Sequence, residues 1–577
     1  MAAEWPAMSL AEVNARLTAP GSKFEMEEIE IRGALTRVWK HAPPTLVDVF
    51  RASLPFAARE FVVYEQDRAS YGAFHRAAIV LAHELIARGV EKGDRVAVIM
   101  RNLPEWPVAF FAAVMSGAIV TPLNAWWTGP ELEYGLADSG SKIAIVDRER
   151  LALIAERLDR LPGLERVYVA RGADAGADPR VTPLQDVIGA VKDWDALPQL
   201  PIPDVALLPE DDATIFYTSG TTGKPKGALG THRNICTHVI TSGFGLARAY
   251  LRRGEAPPAP DPDAPQRVAL LVIPLFHATG CMATLVPAIT QGAKFVFMRK
   301  WDAEQGMALI ERERITAAGG VPTIAWQLVE HPARAKYDLS SIETVGYGGA
   351  PAAPELVRRI VEVFPGSQPG NGWGMTETSA GVTGHSSEDY RHRPDSCGPP
   401  TAVAELKIVG GDGRTLGPDE IGELWCKGPQ VVKGYWNNPQ ATAEIFVDGW
   451  LRTGDLARLD EEGFCYIVDR AKDMLIRGGE NIYCVEVENA LYEHPGVMDA
   501  ALIGLPHRTL GEEPGAVVQL RPGASASEAE LKTWTAQRLA AFKVPVKIVF
   551  ATDTLPRNAN GKILKSELKA FFGVEPA

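Results

Sequence analysis

Val96-Ala-Val-Ile-Met100, Ala118-Ile-Val120 and Lys142-Ile-Ala-Ile-Val146 are three short apolar runs rich in β-branched residues, set apart by segments of helical spacing. Runs that are apolar throughout, with no polar alternation, belong to strands covered on both faces, as in parallel sheets flanked by helices. The flanking segments agree. Phe74, Ala78, Leu81 and Leu85 fall on one helical face ahead of Gly89, a natural helix stop. The apolar run Trp106–Met115 and the helix-like Glu131–Ala137 fill the other gaps. The first half of the chain is therefore expected to be an α/β domain with layered sheets.

Outward from this stretch the character changes. Arg171–Pro179 is rich in Gly, Ala and Asp, and Gly254–Pro265 holds five prolines in twelve residues, so both read as surface loops. Beyond about Gly410, Glu423–Cys426, Trp450-Leu451 and Phe464–Val468 suggest short strands. From Lys472 a compact α+β pattern follows: helix Glu486–Tyr492, strands Ala500–Ile503 and Gly515–Leu520, helix Ser527–Leu539 and strand Val546–Phe550. A boundary near Asp469–Lys472 is expected, giving domains at 1–470 and 471–577, the second an ordinary small lobe.

Composition narrows the function. Of 577 residues, 46% are hydrophobic and 23% charged, a globular balance. There are 59 Lys and Arg against 72 Asp and Glu, a net charge of −13, so no general attraction to nucleic acid or anionic membrane is expected. Any bound anion needs a local site. The six cysteines lie far apart without a CxxC pair, which excludes a disulfide framework and a zinc-ligand spacing. Residues 1–20 lack the apolar core of a secretory signal. The apolar stretches Pro107–Leu123 and Val268–Ile289 are short or broken by Pro and Gly, and fit buried core better than a membrane span. A cytoplasmic protein without a transmembrane segment is expected.

The chemistry concentrates in Tyr217-Thr-Ser-Gly-Thr-Thr-Gly-Lys-Pro-Lys-Gly227, which follows the apolar strand Ala213–Phe216. Glycines let a backbone wrap a ligand closely, and hydroxyls, amides and lysines donate to phosphate oxygens. It is no Walker A loop. Gly220 and Gly223 are too close, and Pro225 stands where a metal-binding hydroxyl is required. Composition alone would leave a flexible polar loop equally open.

In its order of residues this segment resembles the phosphate-binding signature of the adenylate-forming superfamily, which includes acyl- and aryl-CoA ligases, peptide-synthetase adenylation domains and firefly-type luciferases. Seven further matches run in the family's order between about Thr45 and Lys565: Pro274-Leu-Phe-His277, Gly348-Gly-Ala-Pro351, Asn371-Gly-Trp-Gly-Met-Thr-Glu-Thr378, Thr453-Gly-Asp-Leu456, Asp469-Arg-Ala-Lys-Asp473, Gly478-Gly-Glu-Asn-Ile482 and Asn560-Gly-Lys562. The resemblance implies a large domain that binds nucleotide and acid, and a small mobile lobe. It implies that ATP activates a carboxylate as an acyl-adenylate, a mixed anhydride whose leaving group is a stabilised phosphate, and that a thiol then takes the acyl group. Because two anions must meet in the first step, local positive charge is needed.

By the same resemblance, Lys562 bridges carboxylate and α-phosphate. Thr218, Ser219, Gly220, Thr221, Thr222, Gly223, Lys224 and Lys226 cradle phosphates. Thr376 donates to the α-phosphate, and Glu377 holds Mg2+, which favours oxygen ligands. Gly372, Trp373, Gly374 and Met375, with Gly349, Ala350 and Pro351, border the adenine and acyl pocket. Trp373 stands where relatives often carry tyrosine. Asp455 accepts from the ribose hydroxyls and Arg470 is a second nucleotide contact. His277 lies near the substrate carboxylate. The segment that follows it lacks the aspartate of amino-acid-activating relatives, so an amino-acid substrate is disfavoured. Lys472 matches the hinge, and Gly478, Gly479 and Glu480 the channel for the pantetheine arm of coenzyme A. Asn558 and Asn560 depart from the usual hydroxyl residues, and Cys484 replaces a proline or small residue; no chemistry is assigned to it.

An acid:CoA ligase is the expected activity, acting on a small carboxylic acid. No charged pair is visible beside Ile324-Ala-Trp326 or Tyr347, which are expected to border the acyl group, so fatty acids lead and aryl, cinnamyl-like or steroid side-chain acids follow. A free carrier protein is the alternative acceptor. A non-catalytic acyl-nucleotide binder would be expected to lack Lys562, Glu377 or Asp455, and all three are present. A homodimer is an admissible assembly.

Overall fold

The structure, a computed structural model, describes residues 5–172, 178–218, 224–259, 261, 264–349, 354–478, 480–558 and 561–573. The three apolar runs form neighbouring parallel strands, Arg95–Ile99, Ile119–Pro122 and Ile143–Asp147. They sit inside an eight-stranded first sheet extended by Arg166–Ala170 and Val181–Pro183 on one side and by Asp212–Thr218, Lys226–Thr231 and Gly434–Tyr435 on the other. Every residue of Ala97–Ile99 and Ile143–Val146 is buried, as continuous apolar strands require.

A second eight-stranded sheet runs in the order His385–Ser386, Gln368–Gly372, Thr344–Gly348, Ala317–Gly320, Val268–Leu271, Lys294–Phe297, Glu60–Tyr64, Asp67–Ser70. Its central strands are parallel and its outermost pairs antiparallel. Helix Glu105–Met115 is buried along its whole length. Its Trp106, Phe110 and Phe111 share one core with Phe50, Phe61 and Phe74 and with strand residues of both sheets. The two stretches tested for a membrane span are absorbed here as short helices and strands. Among the described residues, no helix is long and apolar enough to cross a membrane.

A third, five-stranded antiparallel sheet gathers Glu405–Val409, Gly422–Lys427, Phe446–Val447, Trp450–Leu459 and Cys465–Arg470. The C-terminal domain has its own sheet, Leu475–Arg477, Glu480–Ile482, Val497–His507, Gly511–Leu520 and Lys547–Ala551. Helices Cys484–Tyr492 and Glu528–Ala536 close its core through Val487, Leu491 and Leu531. The fold class is thus a large α/β domain with a small α+β domain behind it. The described residues of the proline-rich stretch 254–265 carry no regular element and are exposed. The N-terminal hairpin Met26–Ile31/Ala34–Trp39 and the helix Leu10–Leu17 complete the large domain.

Candidate active site

The strand Asp212–Thr218 turns back as Lys226–Thr231, with Thr218 opposite Lys226. Ser219, Gly220, Thr221, Thr222 and Gly223 lie outside the described residues, as do Ala350, Pro351 and Gly479. Lys224 places its ammonium 4.9 Å from the Tyr134 ring, and Lys226 lies 5.1 Å from the Tyr435 ring. Tyr435 also donates its hydroxyl to Glu377 Oε1 at 2.6 Å. One tyrosine therefore joins the strand Lys226–Thr231 to the carboxylate. Glu377 is buried within the single turn Thr376–Thr378, and burial raises its pKa while the Tyr435 hydroxyl opposes the rise. Nothing in the sequence around Tyr435 signalled a carboxylate 58 residues away.

The second sheet ends at its neighbour's close backbone approach. A Cβ on Gly374 would lie 1.7 Å from the Ala380 carbonyl oxygen, so no side chain fits there. Between Gly372 and Gly374, Trp373 donates its indole N–H to Asp455 Oδ2 at 2.8 Å. Arg470, paired with Asp455 across the third sheet, brings Nε to 3.3 Å from Oδ1. The buried Asp455 carboxylate thus has a partner on each oxygen among the described residues. Each oxygen has more than one lone pair, so capacity remains for two further donors.

Lys562 arrives from the C-terminal domain. Its backbone N–H donates to Asn558 Oδ1 at 3.0 Å and its carbonyl accepts the Asn558 N–H at 2.9 Å, a tight turn that an asparagine closes as well as a hydroxyl residue would. Burial, with Arg470 and Lys472 nearby, lowers its pKa to about 8, partly offset by Asp473 and Asp455. Lys562, Asp455, Arg470, Trp373, Gly349 and Gly372 line one cavity of about 930 Å³ between the domains. Met375 and Glu377 line an adjacent cleft of about 310 Å³ with Thr453 and Gly454.

His277 does not line that cavity. Asn102 fixes its loop, donating to the Leu271 and Ile273 carbonyls (3.2 and 3.0 Å) and accepting the Leu275 N–H at 2.9 Å. The His277 Nε2 atom is buried without a partner, and burial lowers the ring's pKa to about 3, so the imidazole is neutral. Lys472, Gly478 and Glu480 are exposed, on and beyond the segment that leaves Arg470; none of the three lines the cavity, though Lys472 lies near enough to Lys562 to lower its pKa.

Two expectations for the acid pocket are corrected. Tyr347 points away from the site, donating or accepting a 2.7 Å hydrogen bond with the Tyr390 hydroxyl among residues of helix Pro354–Val363, because strand alternation sends it to the helix-covered face. A charged pair does stand beside Trp326: Glu330 binds Arg521, which comes from 191 residues further along the chain. Ile324 is core, and Trp326 lines the cavity. Two groups went unread, Asp469, whose pKa burial raises to about 6, and Lys565, which pairs with Glu488 at 2.8 Å; both line the cavity.

The opposite face of the second sheet carries a further feature. Gly319, Gly346 and Gly370 lie side by side in register on three adjacent strands, and Gly348 pairs with Gly372 on the same face. On neighbouring strands that face carries Leu271 and Phe297, both packed into the large core. Gly346 is exposed in mid-sheet, and a Cβ there would have nothing within 4 Å. Three of the eight strands therefore carry no side chain at these positions of this face, over a width of about 10 Å between the outer two, and at Gly346 the space beyond is open. It opens at the strand ends, where Gly349 and Gly372 meet the cavity, the edge at which open α/β sheets bind ligands.

The family model for AMP-binding enzymes matches residues 50–436, and that for the AMP-binding enzyme C-terminal domain matches 486–562. The chain is similar to a feruloyl-CoA synthase of Amycolatopsis sp, 36% identical over 508 residues, covering 87% of this chain and 94% of that protein. It is similar too to a long-chain-fatty-acid–CoA ligase of Bacillus subtilis (strain 168), 35% identical over 510 residues, covering 85% and 88%. Among solved structures it resembles the anthranilate CoA ligase AuaEII in complex with anthranoyl-AMP, with a TM-score of 0.80, 26% identity and coverage of 91% and 96%. The chain belongs to the AMP-binding enzymes, within the adenylate-forming superfamily, and it is a ligase of that family.

Proposed function

We propose that the protein is an AMP-forming acid:CoA ligase whose acid is planar and aryl- or cinnamyl-like. The observation that carries the choice of acid is the glycine row Gly319–Gly346–Gly370, two of whose strands lead to Gly349 and Gly372 on the wall of the Lys562 cavity. A floor of backbone is broad and flat, and glycines in strand interiors commonly mark where a ligand approaches closely. A flat ring uses that breadth; a linear chain does not. This moves the preference from fatty acids, where the sequence placed it, to aryl acids. The likeness to a feruloyl-CoA synthase and to an anthranilate CoA ligase supports the same direction.

In this reading the carboxylate oxygen attacks the α-phosphorus of ATP and pyrophosphate leaves. The Lys562 ammonium lies between the two anions, and Thr376 donates to the α-phosphate. Trp373, held by Asp455 through its N–H, keeps its ring plane fixed for the adenine, and Asp455 accepts from the ribose with its remaining lone pairs. Thr218, Lys224 and Lys226, with the loop Ser219–Gly223, hold the β- and γ-phosphates. Glu377, whose Oε1 accepts from Tyr435, would hold Mg2+, an ion that favours oxygen ligands; among the described residues no group of three candidate ligands forms a cage of its own. Bound there, the ion neutralises phosphate charge. Burial keeps His277 neutral and it stands off the cavity wall, so it brings no cation to the acid. The domains divide at 470/471. Rotation about Lys472 withdraws Lys562 and brings Gly478, Gly479 and Glu480 to the thiol, whose sulfur attacks the acyl carbon and displaces AMP.

The test is acid-dependent AMP release over benzoate, cinnamate, ferulate, octanoate and palmitate, each with and without CoA. AMP formed only with CoA and fastest with cinnamate or ferulate is expected. Pyrophosphate release that ignores CoA would point to a carrier protein, and a preference for palmitate would return the pocket to fatty acids.

A further inference from the structure

Helix Pro322–Glu330 buries Ile324, Ala325 and Leu328 against the second sheet and turns Thr323, Trp326 and Gln327 to the cavity. Both of its ends meet the C-terminal domain. At the N-terminal end, a Cβ on Gly561 would sit 3.0 Å from Val321 Cγ2, so the turn carrying Lys562 rests directly on the residue that precedes the helix. At the C-terminal end Glu330 pairs with Arg521. The guanidinium of Arg521 also lies 5.4 Å from the Trp326 ring, and its Nε donates to the Val497 carbonyl at 3.1 Å, which ties it to its own domain. Arg359 stands 3.9 Å from the same Glu330 carboxylate. Side-chain exposure is 23% for Arg521 and 19% for Glu330, so the pair is screened less than a surface pair.

We propose that Arg521 is a positioning residue for acid activation: its ion pair with Glu330, backed by the Trp326 ring, seats the small domain on helix Pro322–Glu330 with Lys562 in the cavity. This rests on the two-arrangement ligase reading above. The pair exists only while the domain is seated, so it stabilises the adenylating arrangement alone. Any group that favours one of two states shifts the balance by its differential contact and no more. Trp326 lies at once under Arg521 and on the cavity wall, so the seat reaches the Lys562 cavity through one side chain.

Arg521→Ala and Glu330→Gln, made separately in the full chain, test this. Two half-reactions are followed apart: acid-dependent ATP–pyrophosphate exchange with the fastest panel acid, and thioester formation from its synthetic acyl-adenylate plus CoA without ATP. Exchange is expected to fall about 3- to 10-fold in both variants, the range for a partly buried pair that loses one partner, while the thioester step holds or quickens. Arg521→Lys is expected to keep part of the exchange rate, and all three variants are expected to melt with the wild type. Equal loss of both half-reactions, or unchanged exchange in both Arg521→Ala and Glu330→Gln, overturns the proposal. Wild-type protein that shows no acid-dependent exchange with any panel acid overturns the ligase reading instead.

Discussion

The two eight-stranded sheets share a size and a parallel centre, yet they use their strands differently. In the first, Val96–Ile99, Ile143–Val146 and Val167–Ala170 are filled with apolar side chains buried on both faces. In the second, Gly319, Gly346, Gly348, Gly370 and Gly372 leave one face of three central strands bare. The first sheet makes core, and packing density there fixes every methyl group. The second gives up side chains along three strands of one face, and two of those strands lead to Gly349 and Gly372 on the wall of the cavity lined by Lys562, Asp455 and Trp373.

That contrast can be broken or sharpened by substitution. The largest effect is expected at Lys562: Lys562→Ala should lower adenylation about 100- to 1000-fold, the usual cost of losing a group aimed at developing charge, while thioester formation from preformed acyl-adenylate survives. Equal loss in both steps would refute a lysine that serves only the first. Next, Gly346→Val adds a branched side chain at a backbone conformation it can adopt, over the bare floor. It should cost about 10- to 100-fold in kcat/KM with cinnamate or ferulate and leave the denaturation midpoint in place. An unchanged acid ranking would mean the floor is not the acid's seat. Phe111→Ala is the counterpart on the side of the first sheet. It should lower stability by about 3–5 kcal/mol, read by chemical denaturation, with the acid ranking unaltered.

The smallest effect is on pH. Burial and nearby Arg470 bring Lys562 to about 8, and in the proposed reaction the ammonium is the form that stabilises the transition state. Adenylation kcat/KM should therefore fall as pH rises through about 8, since this profile reports the free enzyme. A profile flat to pH 9.5 would show Lys562 still protonated there and outside the influence of Arg470.

The same contrast decides what could be read from the sequence. Strands 95–99, 119–122 and 143–147 were legible to within a residue or two, because continuous apolar runs have few other uses. Strands Ala317–Gly320, Thr344–Gly348 and Gln368–Gly372 were not, since half or nearly half of their residues are glycine and neither period nor propensity marks them. The site residues were named by the order of their motifs; their grouping was not readable. Nothing in the residues around Trp373 says that its N–H reaches Asp455, or that Tyr435 reaches Glu377. Arg521 and Glu330 carry no local pattern at all, and Tyr347 was placed on the wrong face because its strand had not been identified.

The most direct test is a crystal structure of the protein with the sulfamoyl analogue of cinnamoyl-adenylate. The aryl ring is expected over Gly346, between Gly319 and Gly370, with Lys562 at the sulfamoyl group and Asp455 at the ribose. An aryl ring held instead between helix Pro322–Glu330 and the small domain, with the glycine floor covered by protein, would contradict the account.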